Sequence, residues 1–347
     1  MDIAAIKIPA FDVNAAEAAR SRQQILTKPL GSMGDLEDLS IRIAGMVGNP
    51  IPKLDRKAVF LMAADHGVCA EGVSPYPQSV TPQMVLNFLN HGAAINVLTQ
   101  QVGAEVVITD IGVAEDFEPG LAIQYRKVAY GTANIAAGPA MTAAQLDQAL
   151  STGYEIAEEK FRSGVQLAAT GEMGIGNTTP SAAITAVLTG RRAASVTGRG
   201  TGIDEKGWER KVSVIERAIS INKPNRNDPF DILMKLGGFE IAAMTGVTLA
   251  AAVNRVPLVM DGLISTVASA LAVEINPDVR NYLIAGHQSV EIGHQHLLEK
   301  LGLKPLLRLN LRVGEGTGAA LSFALIDAAL AILRGMATFE EAGVSGK

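Results

Sequence analysis

The sequence of 347 residues predicts an α/β fold with a mostly parallel sheet. Short apolar runs recur along the chain, and each ends at a glycine or a polar residue before a helical stretch begins. Most of these runs are continuously apolar rather than alternating, which is typical of strands that are covered on both faces. Alternation of such strands with helices favours a parallel sheet flanked by helices.

The elements follow one another in a regular order. The apolar runs predict strands at 58–63, 106–109, 165–169, 257–260 and 282–285. Helical stretches are predicted near 81–99, 142–163, 179–188, 240–254, 263–275 and 290–301. A further β-like stretch, 306–311, precedes the last helix.

Both ends of the chain differ from this middle part. Helical periodicity is present at 15–26 and 35–46, and a long helix rich in alanine and leucine is predicted at 317–337. We therefore expect two units. Residues 56–312 form a large α/β nucleotide-binding domain, and a small helical domain is built from residues 1–55 and 313–347.

Composition excludes several classes of protein. The formal net charge of −5 argues against nucleic acid as the main partner, because nucleic-acid-binding proteins usually carry a basic stripe. The single cysteine, Cys69, excludes an internal disulfide framework and suits a reducing compartment. A chain of this length can bury about 75% of its unfolded surface, so a large core needs no covalent support.

Stretches that could cross a membrane are not evident in the sequence. The uncharged segment 173–190 contains three glycines besides an asparagine and a proline, and the apolar segment 241–254 is too short to span a bilayer. The amino terminus lacks the apolar core of a signal peptide. We expect a cytoplasmic protein that binds no membrane.

Polar residues and glycines follow every predicted strand. They include Asp65, Asp110, Glu172, Asp261 and His287. In open, Rossmann-like sheets, ligands bind beyond the carboxyl ends of the strands, so these loops should converge on one site. The alternative is that each is a turn or a helix cap, which is attractive for a single loop but less so for five.

Two glycine-rich segments are suited to hold a phosphate. Segment 171–179 follows a strand and opens a helix, where backbone N–H groups and the helix dipole attract an anion. Segment 198–202 is followed, one helical stretch later, by Lys211. Neither matches a Walker A loop or a dinucleotide fingerprint, so a single mononucleotide-type phosphate is favoured. Plain chain flexibility is the alternative.

A third glycine-rich loop, 312–318, presents Glu315 between glycines. Such a carboxylate can act as a general base if partial burial tunes its pKa. The alternative is an acid that is favoured by the dipole at the start of the next helix. Spacing alone leaves the two interpretations equal.

Metal and thiol chemistry are not indicated by the sequence. His294 and His296 are two positions apart on a predicted helix, so they point to different faces. Asp65, His66 and Cys69 lie on one loop with no second set of ligands, and a buried structural role suits the cysteine better. We predict no metal site and no cofactor.

The ordered loops together resemble the family of nicotinate-nucleotide–dimethylbenzimidazole phosphoribosyltransferases. The matching segments cover nearly the whole chain in one order. They are KPLGSMGDLE at 28–37, ADHGV at 64–68 with EGV at 71–73, the loop 171–180, KLGGFE at 235–240 with MTG at 244–246, DG at 261–262, and VGEGTGAA at 313–320. This string of motifs is far more specific than any one glycine loop.

The resemblance implies a glycosyltransferase that acts in the synthesis of the lower ligand of cobalamin. The 5-phosphoribosyl group of nicotinate mononucleotide passes to 5,6-dimethylbenzimidazole, which gives α-ribazole 5′-phosphate and nicotinate. The resemblance also implies a parallel-sheet domain with a small helical domain from both termini, and a homodimer.

The resemblance assigns roles to individual residues as well. The catalytic base falls on Glu315, and Glu172 is a second acid that faces the reacting centre. The substrate-binding positions are Gly174, Gly176, Asn177, Thr178, Gly200, Gly202, Lys211, Ser289, Asp261, Tyr76 and Met84.

Two alternatives stay open. Relatives commonly carry a small polar residue and a glutamine in the region of Tyr76 and Met84, so another benzimidazole, a purine or a phenol is an alternative acceptor. A non-catalytic nucleotide-binding protein is the other alternative, although the presence of Glu315, Glu172 and the phosphate loops counts against it. An ordinary phosphoribosyltransferase that uses a diphosphate donor and magnesium is disfavoured, since 106–112 lacks the adjacent acidic pair.

Overall fold

A parallel six-stranded sheet organises the protein. The structure, a computed structural model, describes residues 3–200 and 202–345. In chain order the strands are β1 (Lys57–Ala64), β2 (Ala104–Gly112), β3 (Gln124–Tyr125), β4 (Leu167–Met173), β5 (Leu258–Met260) and β6 (Leu283–Ala285). Their order in the sheet is β3-β2-β1-β4-β5-β6, which is the Rossmann order that the predicted α/β class implies.

Helices flank this sheet. They are α1 (Val13–Ile25), α2 (Asp35–Val47), α3 (Val80–Leu89), α4 (Ala94–Val102), α5 (Ala143–Arg162), α6 (Thr178–Thr189), α7 (Ala193–Val196), α8 (Glu205–Asn222), α9 (Pro229–Leu236), α10 (Phe239–Val253), α11 (Leu263–Ile275), α12 (Ile292–Leu301) and α13 (Thr317–Gly335). Short 3-10 turns lie at Ile3–Ala5, Gly67–Glu71 and Pro277–Tyr282.

The central strand explains why the sequence pattern predicts the sheet so well. Every residue of β1 is buried, and Phe60 lies opposite Val107 of β2 and Thr170 of β4. A strand that is covered on both faces reads as a continuous apolar run, and the predicted α/β fold is confirmed.

The structure corrects two predicted elements. The helix expected at 81–99 is two helices, because the chain turns at Asn90 and at His91, whose φ is +57°. The stretch 306–311 is not a strand, since only Leu307 forms a bridge, with His287, before Asn310 turns the chain at a φ of +57°.

The terminal helices pack against one another. α1, α2 and α13 meet at a small apolar cluster of Ala16, Ala19, Ile41, Ala44 and Leu333. Phe323 and Ile326 of α13 are also part of the main core. The division into domains at 56 and 312 stays a prediction. Residues 1, 2, 346 and 347 of the predicted small domain and Thr201 of the segment 198–202 lie outside the described residues.

Among the described residues, helix α13 is the one helix that is long and apolar enough to cross a membrane. Half of its apolar window is buried inside the protein, which is usual for the core helix of a soluble protein.

Candidate active site

A cavity of about 340 Å³ lies beyond the carboxyl ends of β4, β5 and β6. The sequence predicts that five strand-end loops converge at this edge of the sheet. The loops after β4, β5 and β6 line the cavity, whereas Asp65 and Asp110, which follow β1 and β2, do not. Most of the predicted site residues line it: Tyr76, Met84, Glu172, Gly174, Asn177, Thr178, Gly200, Asp261, Ser289 and Glu315.

The remaining predicted residues lie beside the cavity rather than in its wall. Lys211 is almost fully buried, and its Nζ donates a 2.7 Å hydrogen bond to Oγ1 of Thr178. Gly176 and Gly202 both have a positive φ, of +90° and +114°. A positive φ suits glycine in a turn, and neither residue lines the cavity.

Glu315 lies on a backbone conformation that few residues adopt. Its φ is +63°, and the flanking Gly314 and Gly316 have φ values of +82° and +90°. This left-handed turn aims a buried carboxylate into the cavity. Burial raises the pKa of Glu315. The hydrogen bond that Oε2 accepts from the backbone N–H of Ile95 at 3.3 Å opposes this shift but is the smaller effect. A carboxylate with a raised pKa is a stronger proton acceptor.

Asp261 holds the Glu315 loop in place. Its Oδ1 accepts from the backbone N–H groups of Gly318 at 2.7 Å and Ala319 at 3.1 Å, and its Oδ2 accepts from Gly316 at 3.2 Å. These are donors at the N-terminus of α13, where a carboxylate is favoured by the helix dipole. Asp261 lines the cavity, yet both of its oxygens are engaged by the loop that it supports.

Gly171 of β4 allows this loop to pack against the sheet. A Cβ at Gly171 would lie 2.3 Å from the carbonyl oxygen of Glu315, and backbone atoms cannot move aside as a flexible side chain would. We expect Gly171→Ala to displace the loop, to lower the free energy of unfolding by about 1–3 kcal/mol and to lower kcat more than about tenfold.

Urea unfolding and steady-state turnover check this prediction. Gly138→Ala is the matched control, because nothing lies within 4 Å of a Cβ at Gly138 and its φ is not positive. That control should stay within about 1 kcal/mol of the wild type. Equal effects of the two substitutions would contradict the proposed packing role of Gly171.

Glu172 is the second acid at the cavity. Its Oε2 accepts a hydrogen bond from the side-chain amide of Asn177, and Gly314 packs against its Oε1. Burial raises the pKa of Glu172 to about 8, the hydrogen bond from Asn177 opposes this shift, and neighbouring carboxylates add to it. Burial therefore favours the protonated form of Glu172 in the free protein.

The raised pKa of Glu172 predicts a pH dependence of stability. The folded protein binds a proton at Glu172 that the unfolded chain releases near pH 4.5, so folding is favoured at low pH. Stability is lost as the pH rises from about 4.5 to about 8. Glu172→Gln lacks this proton but can keep an acceptor for Asn177.

We therefore expect the stability of the wild type relative to Glu172→Gln to fall between pH 5 and pH 8. The size of the fall is on the order of a few kcal/mol. Urea unfolding at a series of pH values measures it, and titrating groups that do not interact with Glu172 affect both proteins alike. Parallel stability curves would contradict the assignment.

The start of α6 has features that suit an anion. Thr178 opens this helix, and the amine of Lys211 lies behind it. Burial lowers the pKa of Lys211 to about 8, and the negative charge of Glu291 opposes the shift. A Cβ at Gly200 would lie 3.3 Å from Nζ of Lys211, so Gly200 lies beside the same amine. A helix N-terminus beside a buried amine is suited to hold a phosphate.

Sequence reasoning missed two charged residues of the cavity wall. Glu291 is buried, and its Oε1 accepts from the backbone N–H of Gly200 at 2.9 Å. Arg312 donates from Nη1 to the carbonyl oxygen of Gly200 at 3.3 Å. Arg312 opens the predicted loop 312–318, which was a usable signal, whereas nothing in the sequence joins Glu291 to a glycine 91 residues away.

His294 is buried and is held by hydrogen bonds within the protein. Nδ1 of His294 accepts from the backbone N–H of Ser289 at 3.0 Å, so its proton is on Nε2, which bonds to Oγ1 of Thr266. Burial lowers the pKa of His294 to about 3. In residues 3–200 and 202–345, no group of three or more histidine, cysteine or acidic side chains is placed to hold a metal ion.

Comparisons with known proteins agree with the resemblance that the motifs carry. A family model described as a phosphoribosyltransferase matches residues 8–344. The nicotinate-nucleotide–dimethylbenzimidazole phosphoribosyltransferase of Chloroflexus aggregans is 55% identical over 337 residues, which are 97% of this chain and 96% of that protein. The enzyme of the same name from Desulforudis audaxviator is 53% identical over 339 residues, covering 98% of this chain and 96% of the relative.

A solved structure of a protein from the same family is similar to this one. The crystal structure of CobT from Thermus thermophilus is similar to this fold with a TM-score of 0.93 and 46% sequence identity, and the match covers 96% of this chain and all of that chain. The chain therefore belongs to the nicotinate-nucleotide–dimethylbenzimidazole phosphoribosyltransferase family.

Proposed function

We propose that this protein transfers the 5-phosphoribosyl group of nicotinate mononucleotide to 5,6-dimethylbenzimidazole. The products are α-ribazole 5′-phosphate, which supplies the lower ligand of cobalamin, and nicotinate. One observation carries the proposal. A single cavity has an anion-binding end at Thr178 and Lys211 and, in the same wall, the glycine-flanked carboxylate of Glu315, in a chain that matches the family over its whole length.

The proposed reaction uses these two ends together. The loop 174–178 and Lys211 hold the 5′-phosphate, which fixes C1′ of the ribose in the cavity. A nitrogen of the benzimidazole forms a bond to C1′ on the face opposite the pyridinium. The bond from C1′ to the pyridinium breaks, and its electron pair goes to the ring nitrogen. That nitrogen becomes neutral, and nicotinate leaves with its carboxylate.

The proton of the reaction goes to Glu315. The benzimidazole loses the proton on its other nitrogen as it becomes alkylated, and a buried carboxylate with a raised pKa accepts that proton. The cationic pyridinium beside Glu172 favours the carboxylate form of this acid, because an opposite charge lowers its pKa. Glu172 then stabilises positive charge that develops on the ribose.

A second acceptor class has support from the cavity wall. Besides its charged residues, much of the cavity wall is apolar, and an apolar pocket discriminates weakly between flat bases of similar size. The apolar side chains are Val80, Met84, Met173, Ile175, Leu263, Ile264 and Val313. Other benzimidazoles, purines or phenols are therefore alternative acceptors for the same transfer.

We also propose that the protein is a cytoplasmic homodimer. The resemblance to the family supports the dimer. The lone cysteine, Cys69, which is a free thiol, supports a reducing compartment.

Incubation with nicotinate mononucleotide and a panel of aromatic bases, read by mass spectrometry in the presence of EDTA, tests the function. We expect nicotinate release only when a base is supplied, with 5,6-dimethylbenzimidazole giving the largest yield. Tight binding of the mononucleotide with no product from any base would support a non-catalytic nucleotide-binding protein. Loss of product on addition of EDTA would contradict a transfer without a metal ion.

A further inference from the structure

Acidic side chains outnumber basic ones in the cavity wall. Four acidic side chains line the cavity, whereas Arg312 is the one lysine or arginine side chain that lines it within the part of the chain that the structure describes. Lys211 lies outside the wall, behind Thr178. The acidic side chains are Glu172, Asp261, Glu291 and Glu315.

Arg312 has free hydrogen-bonding capacity at the edge of this cavity. Its side chain is exposed, and Nη1 donates to the carbonyl oxygen of Gly200 at 3.3 Å. Among the described residues the guanidinium makes no salt bridge, and a guanidinium carries five N–H donors. This arginine therefore bridges two glycine-rich loops and keeps most of its donors available.

The proposed donor substrate has two anionic groups. One is the 5′-phosphate, which the N-terminus of α6 and Lys211 are proposed to bind. The other is the carboxylate on the pyridine ring. It must enter a cavity lined by more acidic than basic side chains, so a cation in the wall would stabilise it. A planar guanidinium binds a carboxylate through two parallel hydrogen bonds, which a point charge does not do.

The place of Arg312 in the chain supports the same match. It is three residues before Glu315, on the loop that reaches the reacting centre. Its exposure puts it at the open side of the cavity, and nicotinate has to leave by an open path. Lys211, in contrast, is buried behind Thr178.

We propose that Arg312 binds the carboxylate of the nicotinate ring and thereby selects nicotinate mononucleotide over nicotinamide mononucleotide. This inference rests on the proposed function. The interaction is non-covalent, and the carboxylate leaves with the nicotinate when its bond to C1′ has broken.

The test is the ratio of kcat/KM for the two mononucleotides, measured for the wild type and for Arg312→Gln. We expect Arg312→Gln to lower kcat/KM for nicotinate mononucleotide by about 10- to 100-fold, because a charged hydrogen-bonded pair is lost. The value for nicotinamide mononucleotide should change less than about threefold. Arg308→Gln is the matched control, since Arg308 is exposed on the same segment and does not line the cavity.

Other outcomes would overturn the proposal. An equal loss of kcat/KM for both mononucleotides would mean that Arg312 contacts the phosphate or holds the loop. If kcat/KM changes for neither mononucleotide, Arg312 has no role in binding them. If the wild type turns over neither mononucleotide, the proposed function fails. Calorimetric binding of nicotinate and nicotinamide mononucleotides then decides the inference separately, because only the carboxylate form should lose affinity in Arg312→Gln.

Discussion

Replacing Glu315 by glutamine is expected to lower kcat by about 10²- to 10⁴-fold, the range in which a lost general base usually falls. Glutamine has the same size and still offers an oxygen to the backbone N–H of Ile95, so the left-handed turn should persist. It cannot take the proton that the benzimidazole loses. Binding of nicotinate mononucleotide should stay nearly intact, because the phosphate end of the cavity is unchanged.

Steady-state kinetics and calorimetric binding measure the two halves of this prediction. Glu209→Gln is the control, since Glu209 is an exposed acid on α8 outside the cavity. A Glu315→Gln protein that keeps a tenth or more of wild-type kcat would remove Glu315 from its role as the base.

Replacing Asp261 by alanine is expected to damage both stability and turnover. The substitution leaves three backbone N–H groups of the loop and of α13 without their acceptor. We expect the free energy of unfolding to fall by about 2–4 kcal/mol. Turnover should fall more than about 100-fold, because the loop that presents Glu315 is no longer fixed.

The variant Asp261→Asn distinguishes support of the Glu315 loop from a direct contact between Asp261 and substrate. Asp261→Asn keeps one oxygen for Gly318 and Ala319 and should recover part of the stability. Asp147→Ala, at an exposed acid on α5, is the control for a general loss of negative charge. Urea unfolding and turnover are the measurements. Wild-type stability in Asp261→Ala would contradict the supporting role.

The strands were predictable because burial on both faces leaves a direct trace in the sequence. The residues of β1 from Ala58 to Ala64 are all apolar and buried, so this run is visible without any structure. Strand β3 has two residues and depends on its pairing with Thr109 and Asp110, so no sequence period marks it. The break between α3 and α4 depends on a left-handed His91, which periodicity does not detect.

The loops that form the site could be predicted from the sequence, but the side-chain contacts between those loops could not. Ordered motifs led to Glu315, Glu172 and the loop 174–178, which the structure brings to one cavity. The supporting use of Asp261 depends on a helix N-terminus more than 50 residues away. Contacts of this kind follow from the fold, and no local pattern contains them.

The anomeric configuration of the product tests the central claim most directly. Wild-type protein, nicotinate mononucleotide and 5,6-dimethylbenzimidazole are incubated with EDTA, and the isolated nucleotide is examined by NMR. Attack on the face opposite the pyridinium predicts the α-anomer with one nicotinate released per product. A β-anomer, or a product formed without release of nicotinate, would contradict the proposed inverting transfer.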